Sequence, residues 1–397
     1  CHINIEQAHG PIAANECTVC HGGNEMALSK EEAHVPVPSN YADVRGDSLP
    51  PAPHGYIKDM PPDMLDALDV NYVRFINPGD IRAAEQSCGG ACHGDMVKAV
   101  TNSVMTTNVG HYWLTRYYAN LQDHVPIYGS IPVEDDDWTG EEGTVAALET
   151  LGPPTDAEFD EATTSEELQQ VAIDHYLAKN CNTCHASGYP KNNSRATYRS
   201  TGCSSCHVLY DISGVYQGND EAIPKNIPVY PARHEITSAI TVEQCATCHY
   251  QGGRIGLLFR GIREGGFSET PPHAELWNDS VYTHVPGYYI LDEDTRNDID
   301  ETPPDLHYQA GMVCVDCHVG SDVHGTGRIY TSSKTQVDIR CEDCHGNSRE
   351  RATPDSDGVF HTANGRPLPQ LFTTADGDVA LIGRVDKQQH IVPQPFD

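Results

Sequence analysis

The stretch "CNTCHASGYPKNNSRATYRSTGCSSCH" (Cys181–His207) holds one pattern twice: two cysteines two residues apart, with a histidine directly after the second. On a helical turn, positions i, i+3 and i+4 share a face, so the two thiols and the imidazole converge. Thiols at this spacing reach the two vinyl groups of one porphyrin, and the adjacent imidazole reaches its iron. This is the c-type haem attachment signature. A redox dithiol or half of a zinc site would account for one C-x-x-C, but not for the histidine that recurs after it.

The pattern appears four more times, at Cys17/Cys20/His21, Cys245/Cys248/His249, Cys314/Cys317/His318 and Cys341/Cys344/His345. Together with Cys181/Cys184/His185 and Cys203/Cys206/His207 this predicts six covalent haems. A variant, "CGGACH", places three residues between Cys88 and Cys92 and keeps His93 adjacent. Residues i and i+4 also share a helical face, and two glycines let the backbone adjust. A seventh haem is expected here, with Cys88 and Cys92 as thioether ligands. Of the 15 cysteines only Cys1 is then left over, and lipidation of a mature N-terminal cysteine after removal of a leader would account for it. A Cys1–Cys88 disulfide beside a single-thioether haem at Cys92 is the alternative.

There are 21 histidines. Seven are proximal ligands by position: His21, His93, His185, His207, His249, His318 and His345. The other 14 are twice what seven irons need, and with only six methionines the balance points to bis-His ligation. The distal candidates are His9, His111, His175, His234, His307, His324 and His390, with His124 and His284 in reserve. His175 lies on "SEELQQVAIDHYLAKNC", which reads as an amphipathic helix.

The composition limits the remaining possibilities. A net charge of −32 disfavours nucleic-acid binding, which needs clustered Lys and Arg, and docking onto anionic lipid heads. No apolar run approaches the roughly 18 residues of a membrane span. Only 38% of the chain is hydrophobic, with 34 Gly and 27 Pro. These numbers predict a mostly irregular chain with short α-helices and few short strands, a multihaem architecture whose core is the haems themselves.

Three regions are expected: 1–130 with two haems, an acidic haem-free insert or linker at 131–170, and 171–397 with five haems. The acidic run "LDEDTRNDIDETPPD" has the composition of a calcium loop without its ordered pattern, which leaves calcium as a weak secondary expectation.

Beyond the bare motifs, the stretches "VRFINPGDIRAAEQSCGGACH", "ARHEITSAITVEQCATCHYQGGRIGLLFRGIRE", "DLHYQAGMVCVDCHVGSDVHG" and "GRVDKQQHIVPQ" resemble the multihaem c-type cytochromes of metal- and sulfur-respiring prokaryotes. The resemblance implies electron transfer in the periplasm, at the cell surface or outside the cell, with redox proteins or copies of the chain itself as partners. Some members form filaments with a continuous haem chain, in which His390, His2 or His9 could cap a haem of the next subunit. The competing class is a reductase or oxidase of small nitrogen or sulfur compounds with one open iron. The arginines Arg254, Arg260 and Arg263 could serve such a pocket, or pair with haem propionates.

Overall fold

The computed structural model describes residues 2–9, 17–41, 67–152, 154–188, 190, 198–211, 213–226, 230–249, 259, 274–276, 289–291 and 304–395. Cys1, His284, the three arginines and most of the second acidic run lie outside them. Helices are short, and each attachment motif begins, ends or forms one: Cys17–His21, Ser204–His207, Val242–His249, Cys314–Cys317 and Cys341–His345. Strands are two to four residues long. Among the described residues no helix is long and apolar enough to cross a membrane.

The chain divides into two compact units, residues 1–248 with 324–335, and residues 249–323 with 336–397. In the first unit apolar side chains gather in small clusters rather than one core. Tyr41, Leu68, Tyr72, Val73 and Ala83 form one beside the first motif, and Val109, Leu148 and Ile329 form another. The acidic insert is not unstructured. Ala147–Thr150 pairs in parallel with Tyr128–Gly129 and antiparallel with Val133–Glu134, and Thr144–Val145 pairs antiparallel with Ile329–Tyr330.

The amphipathic helix read from the sequence runs Ser165–Tyr176. Thr164 caps it by accepting from the Glu167 amide, and the Glu167 carboxylate accepts from the Thr164 amide in return. A buried Arg116–Asp174 ion pair ties it to the helix Val109–Tyr118. Breaking such a pair from one side costs about 3–5 kcal/mol, so this clamp fixes the approach to Cys181.

The second unit is organised by an antiparallel meander, Leu371–Thr373, Val379–Ile382 and Gln389–Ile391, with the middle strand paired on both sides. Its inner residues Leu371, Val379 and Leu381 pack with Phe360, Leu368 and Val392 against Met312, Ile339 and Cys344. The last strand leads into Pro393 and Gln394, whose groups hold the final motif: Gln394 Nε2 donates to the Cys344 carbonyl at 3.0 Å.

Candidate haem sites

At Cys203–His207 and Cys314–His318 the histidine amide closes one α-turn onto the first cysteine's carbonyl, whereas His185 N–H donates to Asn182 O at 3.1 Å in a tighter turn. His207 N–H donates to Cys203 O at 3.0 Å, and His318 N–H to Cys314 O at 2.8 Å. Gly202, immediately before Cys203, takes φ +61, and a Cβ there would lie 1.9 Å from the Gly79 carbonyl oxygen. Only glycine permits this left-handed approach, which lets Cys203 N–H donate to Gly79 O at 2.7 Å.

The motif with the extra residue closes in the same way with a wider turn. Gly89–His93 is a π-helix, and His93 N–H donates to Cys88 O at 3.0 Å, five residues back instead of four. A π-turn is how a helix absorbs one inserted residue. The sequence suggested an α-helical i, i+4 arrangement for these cysteines, and the structure answers with a change of winding.

No disulfide joins the cysteines among the described residues. The thiols cluster across motifs. Cys88 hydrogen-bonds Cys203, which draws the Cys88 thiol down to about 6 despite its burial and pushes Cys203 up. Cys184 likewise hydrogen-bonds Cys248, and that bond and burial raise Cys248. In the second unit, burial pushes Cys317 up to about 11 and Cys344 up to about 12, with Cys341 close to both. At Cys203, Cys248, Cys317 and Cys344 the surroundings disfavour thiolate, and a thioether carries no such charge.

Cys206, expected from the sequence as the second thioether of the site at Cys203, has a polar neighbour. Its Sγ lies 3.6 Å from the hydroxyl of its own neighbour Ser205, at hydrogen-bonding distance for sulfur, where Cys203 reaches across to another motif. The physical reason is local. Ser205 and Cys206 are consecutive on the turn Ser204–His207, so a polar group stands beside this thiol before any other element is packed. The backbone of Cys206 is held all the same: its N–H donates to Cys203 O at 3.3 Å, and its carbonyl accepts from Gln244 Nε2.

The imidazoles pair. Ring centres lie 6.1 Å apart for His9 and His93, 5.8 Å for His21 and His234, and 5.5 Å for His111 and His185. They lie 5.9 Å apart for His207 and His324, and 6.0 Å for His307 and His345. Each pair joins one motif histidine to one distal candidate. A metal–imidazole bond of about 2 Å, with roughly 1 Å more from nitrogen to ring centre on each side, separates opposed rings by about 6 Å. The pairs fit that spacing.

Protonation is arranged to suit. His21 Nδ1 donates to Phe75 O at 2.8 Å, His185 to Val104 O at 3.1 Å, His207 to Thr237 O at 2.7 Å and His345 to Pro393 O at 2.8 Å. His234 Nδ1 donates to Glu6 O at 3.1 Å. A ring whose Nδ1 holds the proton presents the Nε2 lone pair to a metal. Burial lowers His21 to about 4 and His185 to about 3, so both rings are neutral at pH 7, as ligation requires. His318 differs: its Nδ1 faces the Asp322 carboxylate at 3.3 Å, and that bond raises its proton affinity.

Two distal candidates are placed elsewhere. His175 meets the edge of Phe159 at 5.3 Å, and His390 uses Nε2, the nitrogen an iron would need, to donate to Asp386 at 2.9 Å. The reserve His124 stands edge-on to Trp113 and Tyr117, 4.7 Å from each. His34, which the sequence did not single out, lies 6.1 Å from His2 without attachment cysteines of its own. The sequence also gave no sign of the carbonyl acceptors, although Asp322, four residues after His318, was visible as an i, i+4 neighbour.

Charged side chains brace the motifs. Arg74 Nε donates to Cys20 O at 2.8 Å, and its terminal nitrogen to Val19 O at 2.6 Å. Arg199 donates to Thr183 O at 2.7 Å and His185 O at 3.2 Å. In the second unit aspartates within the motifs do this work: Asp316 accepts from Val313 N–H at 2.7 Å and Asp343 from Arg340 N–H at 2.8 Å.

A family model described as cytochrome c554 and c-prime matches residues 136–208 and 244–346, somewhat less than half of the chain. The matched segments contain the five motifs from Cys181 onward and not those at Cys17 and Cys88. No curated protein and no solved structure matches the chain. With the attachment geometry, the family match supports a c-type cytochrome, with covalently bound haem c and electron transfer as its role.

Proposed function

We propose that the chain is a seven-haem c-type cytochrome that conducts electrons by hopping between closely packed, bis-histidine haems. The observation that carries this reading is the set of five imidazole pairs at 5.5–6.1 Å, each joining a motif histidine to a second histidine. Two ring ligands close an iron to small molecules. The pairs therefore favour conduction over reduction of a small nitrogen or sulfur compound at an open iron.

Packing between motifs supports hopping, because electron transfer slows steeply with distance. The hydrogen-bonded thiols Cys88 and Cys203 belong to two different attachment sites, as do Cys184 and Cys248. Porphyrins held through such neighbouring sulfurs would be close together. The acidic surface suits a protein exported beyond the cytoplasmic membrane, with redox proteins or further copies of itself as partners. Assembly into filaments belongs to the same reading and rests on the sequence.

Low-temperature electron paramagnetic resonance with carbon monoxide challenge tests it. The oxidised protein should be low-spin throughout, and the reduced spectrum should not change with carbon monoxide. A stoichiometric high-spin haem that binds carbon monoxide would transfer the argument to the enzyme class. Negative-stain microscopy of native material separates filament from soluble carrier.

A further inference from the structure

Among the motif histidines whose Nδ1 partner is given above, His318 is the one that faces a carboxylate. His21, His185, His207 and His345 donate to backbone carbonyls. Asp322 is buried, its side chain 3% exposed, whereas the His318 ring is 56% exposed. The carboxylate is held from behind, with Asp338 N–H donating to its Oδ1 at 2.6 Å, which leaves Oδ2 to face the ring.

A second buried carboxylate stands within the motif itself. Asp316 accepts from Val313 N–H at 2.7 Å and from Arg384 N–H at 2.5 Å, so backbone donors hold both of its oxygens. Asp338, also buried, is offset by its ion pair with Arg366. Arginine side chains, by contrast, brace the motifs at Cys17–His21 and Cys181–His185.

We propose that Asp322 is a positioning residue that gives the haem held by Cys314, Cys317 and His318 a more negative potential than the haems of the sites whose histidines donate to carbonyls. The proposal deepens the electron-conduit reading and rests on it. The physical case has two parts. A carboxylate that accepts the Nδ1–H pulls the proton and gives the ring imidazolate character, and a stronger donor favours Fe(III). Buried negative charge beside the iron also favours the more positively charged ferric state, because little solvent screens it. Both effects point the same way. Asp305 offers a weaker version at the neighbouring pair: its Oδ1 accepts from His307 Nδ1 at 2.9 Å, but the carboxylate is 45% exposed and water screens it.

The experiment is a spectroscopic redox titration of the full-length holoprotein and of Asp322→Asn and Asp322→Glu. Haem content of each is measured beforehand. In Asp322→Asn one low-potential couple should rise, its reduction constant increasing at least tenfold, which is about 59 mV for one electron. Asp322→Glu should restore most of the difference. An Asp322→Asn titration that overlays the wild type at full haem content overturns the proposal and leaves the conduit reading standing.

A wild type lacking haem at Cys314 and Cys317 overturns the conduit reading as well. Should Asp322→Asn lose haem, redox-poised electron paramagnetic resonance of the wild type decides. One low-spin species with smaller g anisotropy, reduced last, supports the proposal. Seven species without such an outlier contradict it.

Discussion

The proposed attachment sites at Cys88–His93 and Cys203–His207 reach one geometry by different windings. Cys203–His207 is a single α-turn, entered through a glycine that no other residue could replace. Cys88–His93 carries one residue more and closes as a π-turn. In both, the histidine amide donates to the carbonyl of the first cysteine at 3.0 Å, and the two first cysteines touch one another. The difference teaches that the residue count can change between first cysteine and histidine when the backbone absorbs the extra residue by a wider turn.

The largest test of this equivalence removes the opposing imidazole at each site. His9→Ala should leave the haem at His93 five-coordinate, and His324→Ala should do the same at His207. In each variant one haem of the seven becomes high-spin and binds carbon monoxide, measured by resonance and by absorption of the reduced protein. An effect in only one variant breaks the parallel. A smaller effect is expected from the thioethers. Cys88→Ala and Cys203→Ala should each retain haem through the second sulfur, Cys92 or Cys206, and the denatured haemochrome band should shift to longer wavelength by the same fraction in both. No shift in Cys88→Ala would assign that site to Cys92 alone.

The smallest effect concerns the inserted glycines. A Cβ at Gly89 would lie 3.1 Å from Ala84 O and 3.3 Å from Val97 Cγ2, while a Cβ at Gly90 meets nothing within 4 Å. Gly89→Ala should therefore cost about 1 kcal/mol, the low end for overpacking. Gly90→Ala should stay within roughly 0.5 kcal/mol of the wild type. Thermal melting of the two holoproteins gives the ranking, and equal losses would mean that the turn is wound otherwise.

The sequence made the sites legible far better than their connections. The C-x-x-C-H spacing is local chemistry, so the thiols and motif histidines could be named by number, and the helix Ser165–Tyr176 was visible from its cap and periodicity. Five distal candidates lie opposite a motif histidine, but not the one their position suggested. His234, just before Cys245, faces His21, and His324, just after His318, faces His207. His307 passes over the motif seven residues on and meets His345. Such pairings depend on how short elements cross in space, and no local periodicity encodes that.

The positions of His175 and His390 show the same limit. Position near a motif made His175 attractive, yet Phe159 takes its ring. His390 stands near the end of the chain, far from any motif, and Asp386, four residues earlier, holds its Nε2. The strands of the acidic insert were hidden for a related reason. Two- to four-residue strands carry too few alternations to register as a pattern.

The claim on which the rest depends is that seven haems are bound, the seventh at a site with one residue too many. Mass spectrometry of the denatured, intact holoprotein tests it most directly, because only thioether-bound haem survives unfolding. The account predicts the polypeptide mass plus seven haems. A mass corresponding to six, with Cys88 and Cys92 still open to thiol alkylation, would contradict it.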